Sequence, residues 1–164
     1  MKKNLETGIK FLVYASFFVP LVVVPASFIF PFIVPKILIF RSLVAVMFAG
    51  YLLLWYLNPT EYRPRVTALG VALALFVASF TVSTFAGADA YHSFWDNHER
   101  MLGLFTIFHY FAYFLVIGGV FKQWSAWRQL FWILLVAGSI VMFVGLLQVG
   151  NPELLLNQGS DRVA

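Results

Sequence analysis

The stretch from Gly87 to Gly103, GADAYHSFWDNHERMLG, holds three of the seven carboxylates and two of the three histidines in a chain of 164 residues. Arg100 is its most specific chemical group. A planar guanidinium grips a phosphate or carboxylate through two parallel bonds and stays charged at a membrane interface. At the start of a helix it would also be joined by free backbone N–H groups, which together make an anion site. Glu99 and Asp96 have the chemistry of a general acid and base, or of partners that orient Arg100. The plainer alternative is that Arg100 pairs with Glu99, Asp96 or a lipid phosphate and only fixes topology.

The rings in this island weigh against a merely solvated loop. Tyr91, Phe94 and Trp95 lie among His92, His98, Glu99 and Arg100, a mixture suited to a loop folded back on the protein to face a polar headgroup. The rings also suit interface anchoring. Asp89, His92, Asp96 and His98 offer ligand atoms for zinc, but their spacing matches no established zinc signature. His109, in Phe108-His109-Tyr110-Phe111, lies inside an apolar run, where polar groups are costly and often functional. A single histidine among rings is more often packed and hydrogen-bonded, and haem would require a second ligand at matched depth. No metal and no cofactor are therefore expected. With no cysteine, disulfides, thiolate sites and cysteine nucleophiles are excluded. Ser-His-Asp, P-loop and Rossmann patterns are missing too.

The elements that position this island are apolar. Hydrophobic residues make up 62% of the chain and charged ones 11%, against about 25% charged in a soluble domain. Mean hydropathy is +0.87. Five stretches carry no Lys, Arg, Asp or Glu: Phe11 to Pro35, Ser42 to Thr60, Val66 to Ala88, Met101 to Phe121 and Gln129 to Pro152. Each is long enough for a helix to cross a bilayer, which takes about 18 apolar residues or more. Runs such as ALGVALALFVASF are apolar on every side, unlike an alternating barrel strand. Backbone groups in lipid must be satisfied within the segment, so helices are required.

The fold expected is an all-α, polytopic membrane protein: one transmembrane domain of five helices over about 9–30, 36–57, 66–85, 101–121 and 130–149, with an outer polar loop at 87–100. Lys2, Lys3 and Lys10 resemble the basic start of a signal peptide, but the apolar stretch after them is too long and lacks a small-residue cleavage site. It reads as a retained anchor kinked by Pro20 and Pro25. Lys2, Lys3, Lys10, Arg63, Arg65, Lys122 and Arg128 fall on one side, and Lys36, Arg41, Arg100 and Arg162 on the other. Seven against four puts the N-terminus in the cytoplasm and the C-terminus outside. Arg41 is expected to snorkel to the outer face, and Trp124 and Trp127 to sit in the cytoplasmic aromatic belt. Gly70, Ala72, Ala74, Ala78 and Ser79 give the third span a small-residue face that another helix could approach closely. The basic balance reflects topology, and nucleic acid is not an expected partner.

The run Ser93-Phe94-Trp95-Asp96-Asn97-His98-Glu99-Arg100-Met101-Leu102-Gly103, with His109-Tyr110 after it, resembles the bacterial O-antigen ligase and O-antigen polymerase superfamily. Members carry S-F-W-G-x-x-E-R-M-x-G after the third span and an H-Y pair in the next. Pro31-Phe32, Pro35-Lys36 and Gln148 fit the same pattern, and Asp96 stands where the family has glycine. The resemblance covers most of this chain but only the front of the family's ten or more spans, so the chain reads as an N-terminal portion of a longer protein, inactive alone. Residues most associated with catalysis belong to a large later loop.

The resemblance implies a glycosyltransferase of lipopolysaccharide and cell-envelope synthesis in the bacterial plasma (inner) membrane. Such an enzyme moves a glycan from a polyprenyl-diphosphate carrier to a lipid or glycan acceptor, without nucleotide sugar or metal. Arg100, Glu99, Trp95 and His109 are the substrate-binding candidates it brings forward, beside contacts with membrane lipids. Two other classes compete: a noncatalytic subunit packing on a partner through the third span, and a small lipid-binding or transport module with polar groups at mid-bilayer.

Overall fold

A computed structural model of the chain describes residues 2–22, 33–97 and 101–150. Every regular element among them is helical: α1 (Lys2–Ser16), a single 3-10 turn (Val19–Leu21), α2 (Val34–Leu57), α3 (Pro59–Tyr62), α4 (Ala68–Ala86), α5 (Ala90–Trp95), α6 (Leu104–Val120) and α7 (Trp124–Gly150). Three of them, α2, α4 and α7, are long and apolar enough to cross a membrane. The 17-residue α6 is shorter but equally apolar.

Element ends follow local chemistry. Pro35 occupies the first turn of α2, where its missing N–H costs nothing. Asn58-Pro59 ends α2 and starts α3, because proline disfavours a helical conformation in the residue before it. Thr67 caps α4 by accepting from Gly70 N at 3.0 Å, and Asp89 caps α5 by accepting from His92 N at 2.9 Å, as short polar side chains do at helix starts.

The expected first span changes most. α1 begins at Lys2, seven residues earlier than expected, and stops at Ser16. The stop comes four residues before Pro20, whose ring would collide with the Ser16 carbonyl and which has no N–H to return to it. Residues 23–32, including Pro25 and the rest of that expected span, lie outside the described residues. The α7 helix also starts six residues early, so that Trp124 to Arg128 belong to its first turns.

The core is a three-helix seam. Ile9 and Val13 of α1, Val44, Met47, Tyr51 and Leu54 of α2, and Val116 and Val120 of α6 are buried together with Tyr62, Phe121 and Leu130. The α2 and α6 helices run side by side, and Gly119 permits their close approach: a Cβ there would lie 2.6 Å from Cζ of the Tyr51 ring. Tyr51 is itself held by donating to the Tyr62 carbonyl at 2.8 Å.

By contrast, α4 touches the bundle along a single line, Gly70, Leu73, Val77, Thr81 and Thr84, at the i, i+3, i+4 spacing of one helix face. Ala72, Ala74, Ala78 and Ser79 of the expected small-residue face are exposed. They do not make the α4–α6 contact. The side chains of larger residues reach α6 instead. Most of α7 is likewise uncovered, with Leu130 and Ala137 its buried apolar residues.

Candidate functional site

The described parts of the polar island, 87–97 and 101–103, lie against the start of α6. The short α5 ends at Trp95, and Asp96 then turns the chain with φ 63° and ψ 178°. That conformation belongs almost wholly to glycine, and a side chain there costs of order 1–3 kcal/mol. Asp96 offsets part of the cost through its carboxylate, which accepts from Leu102 N at 2.7 Å. Met101, also left-handed at φ 51°, makes the second bend. Gly103 completes the turn, and a Cβ on it would lie 2.8 Å from the carbonyl carbons of Phe94 and Trp95. No side chain fits between those strands of backbone.

Rings bind this turn to α6. Trp95 packs on Phe105 with centroids 5.0 Å apart, Phe94 on Phe105 at 5.9 Å, and Phe105 edge-on to His109 at 4.5 Å. His109 Nδ1 bonds the Phe105 carbonyl at 2.7 Å. With its proton on Nδ1, the ring leaves Nε2 as an acceptor. Trp95 and His109 are thus joined through Phe105. His98, Glu99 and Arg100 lie outside the described residues.

Beneath the turn sits a residue that the sequence alone misplaced. Arg41 does not snorkel: it points inward from α2 and is 8% exposed. Its Nε donates to Thr106 Oγ1 at 3.2 Å and an Nη donates to the Met101 carbonyl at 2.8 Å, with a further close bond to Thr106 Oγ1. The guanidinium also covers the Phe105 ring at 5.0 Å. Thr106 in turn donates to the Met101 carbonyl at 2.5 Å. A cation this little exposed spends most of its donors on the protein, because desolvating a charge without new partners is costly. Seven residues past the start of α2, Arg41 stands where the sequence leaves both an inward partner and a route to the interface open.

At the opposite end of the bundle the charges meet one another. Glu6 accepts from Lys10 at 2.5 Å and from the Tyr62 hydroxyl at 2.7 Å. Burial works to raise the Glu6 carboxyl, but these bonds and the Lys10 and Lys122 charges together hold it below its usual range. Burial, with Glu6 as acceptor, pushes the Tyr62 hydroxyl far above the usual phenol range. Lys122 lies over the Tyr62 ring at 3.8 Å and the same distance from Glu61. Trp127 donates to the Phe121 carbonyl at 2.7 Å, which gives it a structural tie besides any interfacial role. Trp124 remains exposed.

Among the described residues no group of three or more His, Cys, Asp or Glu is placed to hold a metal ion. Asp89 and Asp96 each cap a backbone N–H instead. Compared with models of known families, with curated proteins and with solved structures, the chain matches none.

Proposed function

We propose that the chain is the donor-binding front part of a membrane glycan ligase or polymerase, which moves a glycan from a polyprenyl-diphosphate carrier to a lipid or glycan acceptor. In this reading five spans cross the bacterial plasma membrane, the N-terminus is cytoplasmic and the island faces outward. The observation that supports it comes from the described ends of the motif-bearing stretch, where Asp96 and Gly103 each have a physical reason for their place. Asp96 occupies a conformation natural to glycine, the residue the resembled family has there. Gly103 has room for no side chain.

The chemistry follows from the carrier. An acceptor hydroxyl attacks the anomeric carbon, the bond from that carbon to the diphosphate oxygen breaks, and the leaving diphosphate gathers negative charge. Fixed donors and cations are the groups that stabilise such charge. Arg100 would meet the diphosphate, Glu99 would orient Arg100, and Trp95 and His109 would line the approach. Arg41 holds Met101 and Thr106, the residues that follow the motif's Glu99-Arg100, through its hydrogen bonds.

Two experiments test this reading. Substituting Arg100→Ala should abolish glycan transfer in membranes supplied with a polyprenyl-diphosphate oligosaccharide and acceptor; unchanged transfer would sink the assignment. Reporters fused at Arg63 and at His98 should lie in the cytoplasm and outside, respectively, and an outside Arg63 would reverse the site's sidedness.

A noncatalytic subunit is the second reading, favoured by the exposed faces of α4 and α7. It predicts a partner protein that co-purifies stoichiometrically and is lost on Ala74→Leu or Ala78→Leu.

A further inference from the structure

The recesses along the helices differ in what lines them. The one between α2 and α6 and the one between α4 and α6 have no Lys, Arg, Asp or Glu in their walls. A third, of about 610 Å³, lies on α7 and is lined by Ser125, Arg128, Gln129, Trp132 and Ile133. It brings together a cation, two neutral polar groups, an indole and an alkyl group. These positions fall at i, i+3, i+4, i+7 and i+8, which is one face of a helix. Trp127 and Leu130, on the other side of α7, pack on the core instead. Ser125, Arg128, Gln129 and Trp132 are exposed. Along this face the polar groups come first and the apolar ones follow, so its character changes within about 12 Å at 1.5 Å per residue.

We infer that this face of α7 binds an acidic phospholipid, its phosphate held by Arg128 with Gln129 and Ser125, and the start of an acyl chain laid on Trp132 and Ile133. The inference needs α7 to lie in a membrane, which its length and apolarity allow, and it is independent of glycan transfer. Three features select this partner. The first is charge. Lys10 and Lys122 at this end of the bundle have Glu6 and Glu61 beside them, whereas Arg128 forms no ion pair among the described residues. Arg63 and Arg65 nearby in the chain are exposed and unpaired among those residues as well, and a cluster of basic residues beside a membrane-spanning helix attracts anionic lipid. The second is geometry. A guanidinium grips phosphate oxygens through two parallel bonds, and the Gln129 amide and Ser125 hydroxyl add donors one turn to either side. The third is the order of groups. Tryptophan favours the boundary between headgroups and acyl chains, and here it follows the polar groups directly. An uncharged alkyl chain would leave Arg128 without a counter-charge, and a soluble anion would leave Trp132 and Ile133 uncovered.

The test is native mass spectrometry of the full chain released from nanodiscs that hold phosphatidic acid and phosphatidylcholine in equal amounts with the same acyl chains. Phosphatidic acid is the probe because its headgroup is the phosphate alone. The wild type should retain it in clear preference to phosphatidylcholine, and excess inorganic phosphate should not displace it. Arg128→Ala should cut this retention about tenfold, equivalent to about 1.4 kcal/mol. Arg65→Ala removes a like charge outside the recess and should leave retention unchanged. Both side chains are exposed, so neither variant disturbs the core. A photoreactive residue in place of Ser125 should crosslink to the lipid. Equal retention of the two lipids, displacement by inorganic phosphate, retention that survives Arg128→Ala, equal losses in the two arginine variants, or a crosslink from position 125 to a protein would each overturn the site.

Discussion

The two ends of the α1–α2–α6 seam handle charge in opposite ways. At the Glu6 end, cation and anion meet inside the chain: Glu6 with Lys10, Lys122 near Glu61, and Tyr62 bridging the two through its hydroxyl and ring face. At the Arg41 end, a buried guanidinium bonds to Thr106 and the Met101 carbonyl, both neutral. The first arrangement closes its charge balance and serves to hold α1 and α3 together. In the second, the described partners of Arg41 are neutral oxygens that join α2 to the start of α6. Among the described residues, the two ends differ in whether a carboxylate stands beside the cation.

Substitutions can break that contrast. Arg41→Ala should have the largest effect, costing about 2–4 kcal/mol, because hydrogen bonds from a charged group are worth about 1.5–3 kcal/mol each and the turn loses its anchor. Thermal unfolding in detergent would measure it, and a loss under half that size would mean the turn stands without Arg41. Gly103→Ala comes next at about 2–3 kcal/mol, since overpacking against backbone cannot be relieved by a rotamer change. Its specific sign would be faster proteolysis within 87–103 while the Glu6 end stays protected.

Smaller changes sharpen the comparison. Asp96→Gly removes the strain of a left-handed side chain but also the cap on Leu102 N, so its net change should stay within about 1 kcal/mol. Asp96→Ala keeps the strain and loses the cap, and should be less stable than Asp96→Gly by about 1 kcal/mol. Equal stabilities for the two would show that φ at this position carries no cost. Glu6→Gln should have the smallest effect, below about 1 kcal/mol, since the group is partly exposed and screened. Its sign is set by linkage. A carboxyl lowered in the fold contributes stability that is present above its ordinary value of 4.5 and lost as pH falls through the folded value. Unfolding followed from about pH 6 to about pH 3 should therefore show a loss in the wild type that Glu6→Gln lacks.

The helices were legible because charge-free runs in lipid have few other solutions. Caps at Thr67 and Asp89 and the stop at Asn58-Pro59 are local, and local residues specify them. The pairing of Arg41 with Thr106 was not legible, because it joins residues far apart in sequence through the register of α2 on α6. That register depends on Tyr51 meeting Gly119, a contact that no periodicity reveals. The early end of α1 had a visible cause in Pro20, yet hydropathy alone carries the span past it. On α4 every face is apolar, so composition pointed to the alanines, whereas Leu73 and Val77 make the contact with α6.

Retention of polyprenyl diphosphate by the purified protein, read by native mass spectrometry from nanodiscs, tests the central claim most directly. The wild type should keep the carrier in preference to phosphatidylglycerol, Arg100→Ala should lose it, and Lys122→Ala at the internally paired end should keep it. Retention that is equal for the wild type and Arg100→Ala, or lost equally in both variants, would contradict the account.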